Sequence, residues 1–112
     1  PAAELMQSLA YVEAQRAAVA QAAPTCGDAK LVQREFLWCA DLLRHGCRRG
    51  LWLLQDGEAL EGSISSRVTP EALADDLIVL LAEYETIWHA RSRPGGFIDS
   101  RARLARLTDD YV

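Results

Sequence analysis

The chain has 112 residues, half of them apolar and a quarter charged, with a formal net charge of −4 at pH 7. That is room for one domain with one core, hiding about two-thirds of its unfolded surface, and little room for a deep catalytic pocket. The negative charge argues against a nucleic-acid partner, because no strong positive field attracts phosphates, and no apolar run reaches membrane-spanning length.

In chain order, residues Glu4 to Ala23 are rich in Ala, Gln, Leu and Glu, all good helix formers. Leu5, Leu9, Val12 and Val19 mark one face, and Pro24 ends the helix. Thr25 is placed to cap the next helix, with Asp28 three residues on in the capping-box position. That second helix is expected from about Gly27 to Leu54. Val32, Phe36, Cys39, Leu43, Cys47, Leu51 and Leu54 recur every three or four residues and predict a long buried stripe. Gly46 and Gly50 interrupt it on one side, each costing about 1 kcal/mol relative to alanine. Close approach of a neighbouring helix is the expected compensation, with a bend at Arg48-Arg49-Gly50 as the alternative.

Residues 55–68 hold Gly57, Gly62 and three serines, and read as a loop. Thr69 then caps a third helix, Pro70 fits its first position, and Glu71 suits the positive helix end. Leu73, Leu77, Leu80, Tyr84, Ile87 and Trp88 form its expected buried stripe. The helix stops before Pro94, because the residue ahead of proline is pushed out of helical geometry. A fourth helix is expected from about Ile98 to Asp110, with Leu104, Leu107 and Tyr111 inward. The sum is an all-α fold: an antiparallel bundle of three long helices plus one shorter C-terminal helix, forming a single domain over residues 1–112.

The chemistry-bearing patterns are few. Cys26, Cys39 and Cys47 are odd in number, and Cys39 and Cys47 lie too far apart along one helix to bond. Three reduced thiols packed as small apolar groups are expected. Cys39, His45 and Cys47 match no common zinc spacing, so no metal is expected. There is no nucleophile elbow, no zinc-protease motif, no phosphate loop and no dinucleotide fingerprint, so neither catalytic nor cofactor-binding residues are assigned. The adjacent pairs Asp75-Asp76 and Asp109-Asp110 point different ways on a helix. Glu83 and Glu85 are expected on a solvated face. His89 near the end of the third helix favours its negative pole. Trp38, Trp52 and Trp88 offer flat aromatic faces suited to a sugar ring, but Trp88 lies on the apolar stripe, so packing is the expected role. The run Leu51-Trp52-Leu53-Leu54 exceeds what one helix face needs, and part of it is expected to meet something outside the domain.

The segments "LLRHGCRRGLWLL" (Leu42–Leu54) and "EYETIWHARSRPGGFIDSRARL" (Glu83–Leu104) resemble the C-terminal helical domain of bacterial family 20 glycoside hydrolases, of the three-domain exo-β-N-acetylglucosaminidase type. In that group a helix ends in a pattern like W-x-A-R-[NS]-R-P-G-G followed by a short D-S pair. Trp88, Ala90, Arg91, Ser92, Arg93, Pro94, Gly95, Gly96, Asp99 and Ser100 match it, whereas His89 stands where an aliphatic residue is the rule. The resemblance covers the second half of the chain; the first helix matches only in character. Those enzymes use an Asp–Glu pair on a β/α barrel, with the substrate's own acetamido oxygen attacking the anomeric carbon. No such pair carries over to this chain.

The resemblance therefore implies a non-catalytic accessory domain of a β-N-acetylhexosaminidase, expected to pack on the parent's catalytic barrel or to support dimerisation. The chain opens on Pro1 in place of Met, and a C-terminal fragment of a larger enzyme is expected. The unpaired cysteine count and the lack of a visible signal favour the bacterial cytoplasm. A homo-oligomer is expected. Trp52, Trp88, Arg91, Arg93, Asp99 and Arg101 are the interface or docking candidates, with Arg91 expected to reach Asp99 or the last helical carbonyls. Two alternatives stand beside this reading: a free-standing helical oligomerisation module, and a carbohydrate-binding module using its tryptophans.

Overall fold

A computed structural model describes residues 1–23, 25, 27–55, 68–91 and 95–111. The fold is all-α, and no strand occurs among the described residues. The helices are α1 (Ala2–Gln21), α2 (Ala29–Leu54), α3 (Pro70–Arg91), α4 (Phe97–Ala105) and α5 (Leu107–Asp110).

α1 lays Leu5, Leu9, Val12, Arg16 and Val19 along one half-buried line, at the alternating four- and three-residue steps of a helix seam. Its last carbonyls have no partner within the helix. The Gln33 side-chain amide on α2 supplies one, donating to Val19 O at 2.9 Å, with Ala22 O at 3.2 Å. α2 begins at Ala29, not at Gly27. Asp28 sits at its N-cap position without a side-chain capping bond, because its carboxylate is taken by Arg91. Thr25 does not cap the helix. α3 starts as its sequence predicts: Pro70 is the first residue, and the N–H of Ala72 donates to Thr69 Oγ1 at 3.2 Å. Between α2 and α3, the Gln55 side chain donates to Val68 O at 2.8 Å and accepts from Val68 N–H at 2.6 Å. The expected loop falls mostly on residues 56–67, outside the described residues, but its two ends are clamped together by this amide.

The expected fourth helix is divided at Arg106. There the backbone tightens to three-residue hydrogen bonds, Asp109 N to Arg106 O and Tyr111 N to Thr108 O, both 3.1 Å. The tighter winding brings Tyr111 round onto α2, where it is buried. The turn ahead of α4 uses Gly96 at φ +86°, a left-handed angle that glycine adopts without strain.

α1 and α3 both run antiparallel to α2. Leu5 meets Gly50 while Arg16 meets Asp41; Asp76 meets His45 while Arg91 meets Glu35. The core sits where the three helices converge: Ala2, Leu51, Val68, Leu73, Leu77, Leu81 and Tyr111, with Leu5, Leu9 and Trp52 half-buried around them. Full burial of Leu73 and Leu77 contributes about 1.5–3 kcal/mol each. The core is narrow for the length of the helices, and the molecule is a slab of 48 × 31 × 19 Å.

The α3 stripe faces inward as expected, with Leu73, Leu77 and Leu80 buried. The α2 stripe does so only at its C-terminal end, where Leu51 is buried and Leu54 packs against the core. Phe36 is 61% exposed and Leu43 60% exposed, and Cys39 is exposed between them. The cysteine therefore does not pack as a core apolar group. Over this stretch Asp41 and His45 have partners on α1 and α3, and the helix is set so that Phe36, Cys39 and Leu43 face away from both.

The two glycines separate in the same way. A Cβ built on Gly50 would lie 2.9 Å from Leu5 Cδ1, so Gly50 is a helix–helix contact; one built on Gly46 meets nothing within 4 Å. Gly46→Ala is expected to raise stability by about 0.5–1 kcal/mol, the helix-propensity gain over glycine. Gly50→Leu is expected to lower it by about 1–3 kcal/mol through overpacking. Urea melts at low micromolar concentration check both, and equal losses in the two variants overturn this division.

Candidate functional site

Three features carry chemistry, and all involve α2. The first is its outward face. Val32, Phe36, Cys39, Leu43 and Gly46 follow one another at helical steps, and none is charged; at the next step Gly50 packs against Leu5 of α1. Phe36, Cys39, Leu43, Gly46 and Leu53 are exposed, and Val32 and Gly50 are partly so. Met6 and Tyr11 on α1, Ile78 and Val79 on α3, and Ile98 on α4 are also exposed.

The charged side of α2 is built into the bundle. Asp41 holds Arg16 of α1 and Arg44 of its own helix. Arg34 pairs with Glu83 of α3 through two bonds, 2.9 and 3.0 Å; Glu83 is thus an ion-pair partner and not a plain solvated residue. Arg49 pairs with Asp110 at 2.6 Å. Hydrogen bonding to Asp41 raises the Arg16 pKa, and hydrogen bonds to Glu35 and then Asp28 raise that of Arg91, so both cations are held charged.

The second feature is a cleft of about 230 Å³ between α2 and α3, lined by Glu35, Trp38, Cys39, Tyr84, Ile87, Trp88 and Arg91. Trp38 stacks on Tyr84 with centroids 5.0 Å apart, and its indole N–H donates to Leu80 O at 2.9 Å. Trp88 meets Tyr84 edge-on at 5.8 Å and Phe97 at 6.0 Å. The aromatic groups thus fasten α2, α3 and α4 to one another. The exposed His89 ring lies 4.9 Å from Phe97.

The third feature was not anticipated from sequence. His45 is 1% exposed. Its Nδ1 lies 2.7 Å from Asp76 Oδ2 and its Nε2 2.7 Å from the Tyr111 hydroxyl. A carboxylate accepts, so in the neutral ring Nδ1–H donates to Asp76 and Tyr111 O–H donates to Nε2. The chain ties α2, α3 and the C-terminal turn through one imidazole. Trp52 stands edge-on to Tyr111 at 5.5 Å and closes the cluster. Burial raises the Tyr111 pKa, opposed by the nearby Arg49 guanidinium. The sequence hints were the inward position expected of Tyr111 and the divergence of the adjacent Asp75 and Asp76; neither pointed to His45.

The candidate residues do not form one site. Trp52 belongs to the Tyr111 cluster and Trp88 to the α3–α4 contact. Arg91 does not reach Asp99; it bonds Glu35 at 2.7 Å and Asp28 at 2.9 Å on α2. The end of α3 lies beside the start of α2, where Asp28 at the N-cap position and Glu35 further along the helix accept both of Arg91's bonds. Asp99 and Arg101 are exposed on α4. Arg93 lies outside the described residues, as does Cys26. No cluster of His, Cys, Asp and Glu able to hold a metal occurs among the described residues, and no described helix is long and apolar enough to cross a membrane. Comparison with protein-family models, with curated proteins and with solved structures finds no match to this chain.

Two outcomes follow from the His45 cluster. His45→Ala is expected to destabilise the domain by about 2–4 kcal/mol, because it leaves a cavity and a buried hydroxyl without its acceptor. Chemical denaturation checks this, and a loss below that of an exposed-site control overturns it. The Tyr111 shift has a defined sign. A phenol whose folded pKa is raised contributes stability that is complete below its unfolded pKa, about 10, and is lost as pH rises through the folded value. Stability is therefore expected to fall above about pH 10 in the parent chain, and Tyr111→Phe is expected to remove part of that fall. Identical alkaline profiles for the two chains overturn it.

Proposed function

We propose that this chain is a non-catalytic helical domain that assembles a larger protein, with the outward face of α2 as its docking surface. The observation that carries this is that Phe36, Cys39 and Leu43, at successive helical steps on α2, are exposed, while Asp41 and His45 on the same stretch are held by α1 and α3. Single exposed apolar residues are ordinary, but an uninterrupted exposed line of them marks association. Leaving Phe36 and Leu43 in water forgoes about 1.5–3 kcal/mol for each side chain, which a covering surface recovers.

The resemblance of Leu42–Leu54 and Glu83–Leu104 makes the larger protein a family 20 β-N-acetylhexosaminidase, and this chain its accessory domain. In that setting it supports dimerisation or packs on the catalytic barrel, with exposed Asp99 and Arg101 on α4 as the polar groups available to the barrel. The tryptophans serve packing: Trp38, Trp52 and Trp88 are each engaged with aromatic neighbours inside the domain. This disfavours the carbohydrate-binding alternative. A barrel encoded upstream in the same reading frame separates the accessory domain from a free-standing association module.

The 112-residue chain is expected to show no turnover of an aryl N-acetyl-β-glucosaminide; activity above buffer that survives repurification overturns its non-catalytic character. In the full-length parent, Leu43→Glu is expected to leave the helical content intact while changing oligomeric state or loosening this domain toward proteolysis. Unchanged sedimentation together with unchanged protease resistance overturns the docking reading.

A further inference from the structure

We propose that the cleft between α1 and α3, over the middle of α2, binds a small amphiphilic monoanion: one carboxylate on an apolar body. The site lies on a different side of α2 from Phe36, Cys39 and Leu43, and it stands independently of the docking role given to those residues.

Shape comes first. Both α1 and α3 pack on α2, and their backbones do not approach one another directly. A cleft of about 230 Å³ is left between them. Its apolar lining is Leu37, Trp38, Val79 and Leu80. Val79 is 67% exposed, so water covers an apolar wall that an apolar ligand dries. Trp38 is a fixed wall, because it stacks on Tyr84 and its N–H donates to Leu80 O. A pre-formed, mostly apolar cleft with a few fixed polar groups has the make-up of a small-molecule site, and this volume is below the about 300–1,000 Å³ of drug-sized sites, so its ligand is small.

Charge gives the sign of the ligand. On one side of the cleft Arg34 and Glu83 form a closed pair, with bonds of 2.9 and 3.0 Å, and contribute no net charge. On the other side Asp41 serves two guanidinium groups, Arg16 of α1 and Arg44 of its own helix. Two cations on one carboxylate leave one positive charge in excess, and among the described residues no second carboxylate pairs with either. The buried Nε of Arg44 has no hydrogen-bond partner, so Asp41 alone holds this side chain. Arg16 lines the cleft and uses its Nε and one terminal nitrogen on Asp41. A guanidinium carries more N–H donors than these, and the others are available to a second carboxylate. The local excess is positive although the chain's formal net charge is −4. One excess positive charge beside an apolar wall matches one negative charge on an apolar body. A bare anion leaves the wall wet, and a neutral apolar molecule leaves the charge unanswered.

The test uses the 112-residue chain with octanoate as the probe, read by NMR at the indole N–H of Trp38. Octanoate in the millimolar range is expected to shift that resonance and to bind roughly tenfold or more tightly than octanol, octylamine or acetate. Its affinity is expected to fall as salt is raised. Val79→Glu places a negative charge on an exposed wall of the cleft, and Arg44→Gln removes the excess positive charge. Each is expected to weaken octanoate about tenfold, whereas Leu43→Glu on the outward face of α2 is expected to leave its affinity unchanged. If Arg44→Gln lowers the melting temperature, Val79→Glu decides alone. No shift at the Trp38 indole, or equal binding of octanol, overturns the proposal. So does octanoate binding that survives Val79→Glu or is abolished by Leu43→Glu, because the ligand then sits elsewhere. A polyglutamate peptide that binds where octanoate does not overturns the small molecule as occupant.

Discussion

The rotation of α2 about its own axis is the constraint on which the rest of the structure depends. It is set by polar partners rather than by apolar ones. Asp41 faces Arg16, Arg34 faces Glu83, Glu35 faces Arg91, His45 faces Asp76 and Tyr111, and Arg49 faces Asp110. The exposed pairs are individually weak, about 0–1 kcal/mol in water. Their effect is collective and directional: a turn of the helix by one residue, about 100°, breaks all of them at once. The His45 chain is the strictest member, because it is buried and leaving any of its groups without a partner costs a full desolvation penalty.

That choice leaves the domain with a small core and an uncovered apolar line. Among the described residues Leu73, Leu77 and His45 are the large side chains that are fully enclosed. Phe36 and Leu43 stay in water on the side of α2 turned away from α1 and α3. The side that would ordinarily form the centre of a bundle is held free, and the ion pairs around α2 keep it so.

The aromatic residues do a different task from the one their flat faces invite. Trp38, Tyr84, Trp88 and Phe97 form a continuous series of ring contacts that attaches α4 to the α2–α3 pair. Together with Gly96, this explains why the turn after α3 is rich in aromatic and polar groups on either side. Trp88 fixes the incoming helix and Phe97 the outgoing one, while Arg91 returns to the start of α2. The turn is fastened to the body of the domain at both ends, which a plain proline–glycine reversal does not need.

The sequence by itself determined the helices. Alanine-rich composition, the Thr69-Pro70-Glu71 start and the three-to-four spacing of Leu73, Leu77 and Leu80 follow from local propensity and period, and the all-α fold follows from them. Local signals also placed α3's buried side correctly: Leu73, Leu77 and Leu80 face inward, and Asp76 and Glu83 meet α2 without displacing them. The direction in which α2 points was decided only in the tertiary structure. Periodicity reports that one side of a helix is apolar, not that this side is buried, and burial was lost to a set of ion pairs whose partners are 25 to 63 residues away in the chain. The same holds for His45. Its neighbours in sequence, Arg44 and Gly46, give no hint of Asp76 and Tyr111, because a buried polar group is satisfied by whatever the fold brings to it, and that is known only when the helices have met.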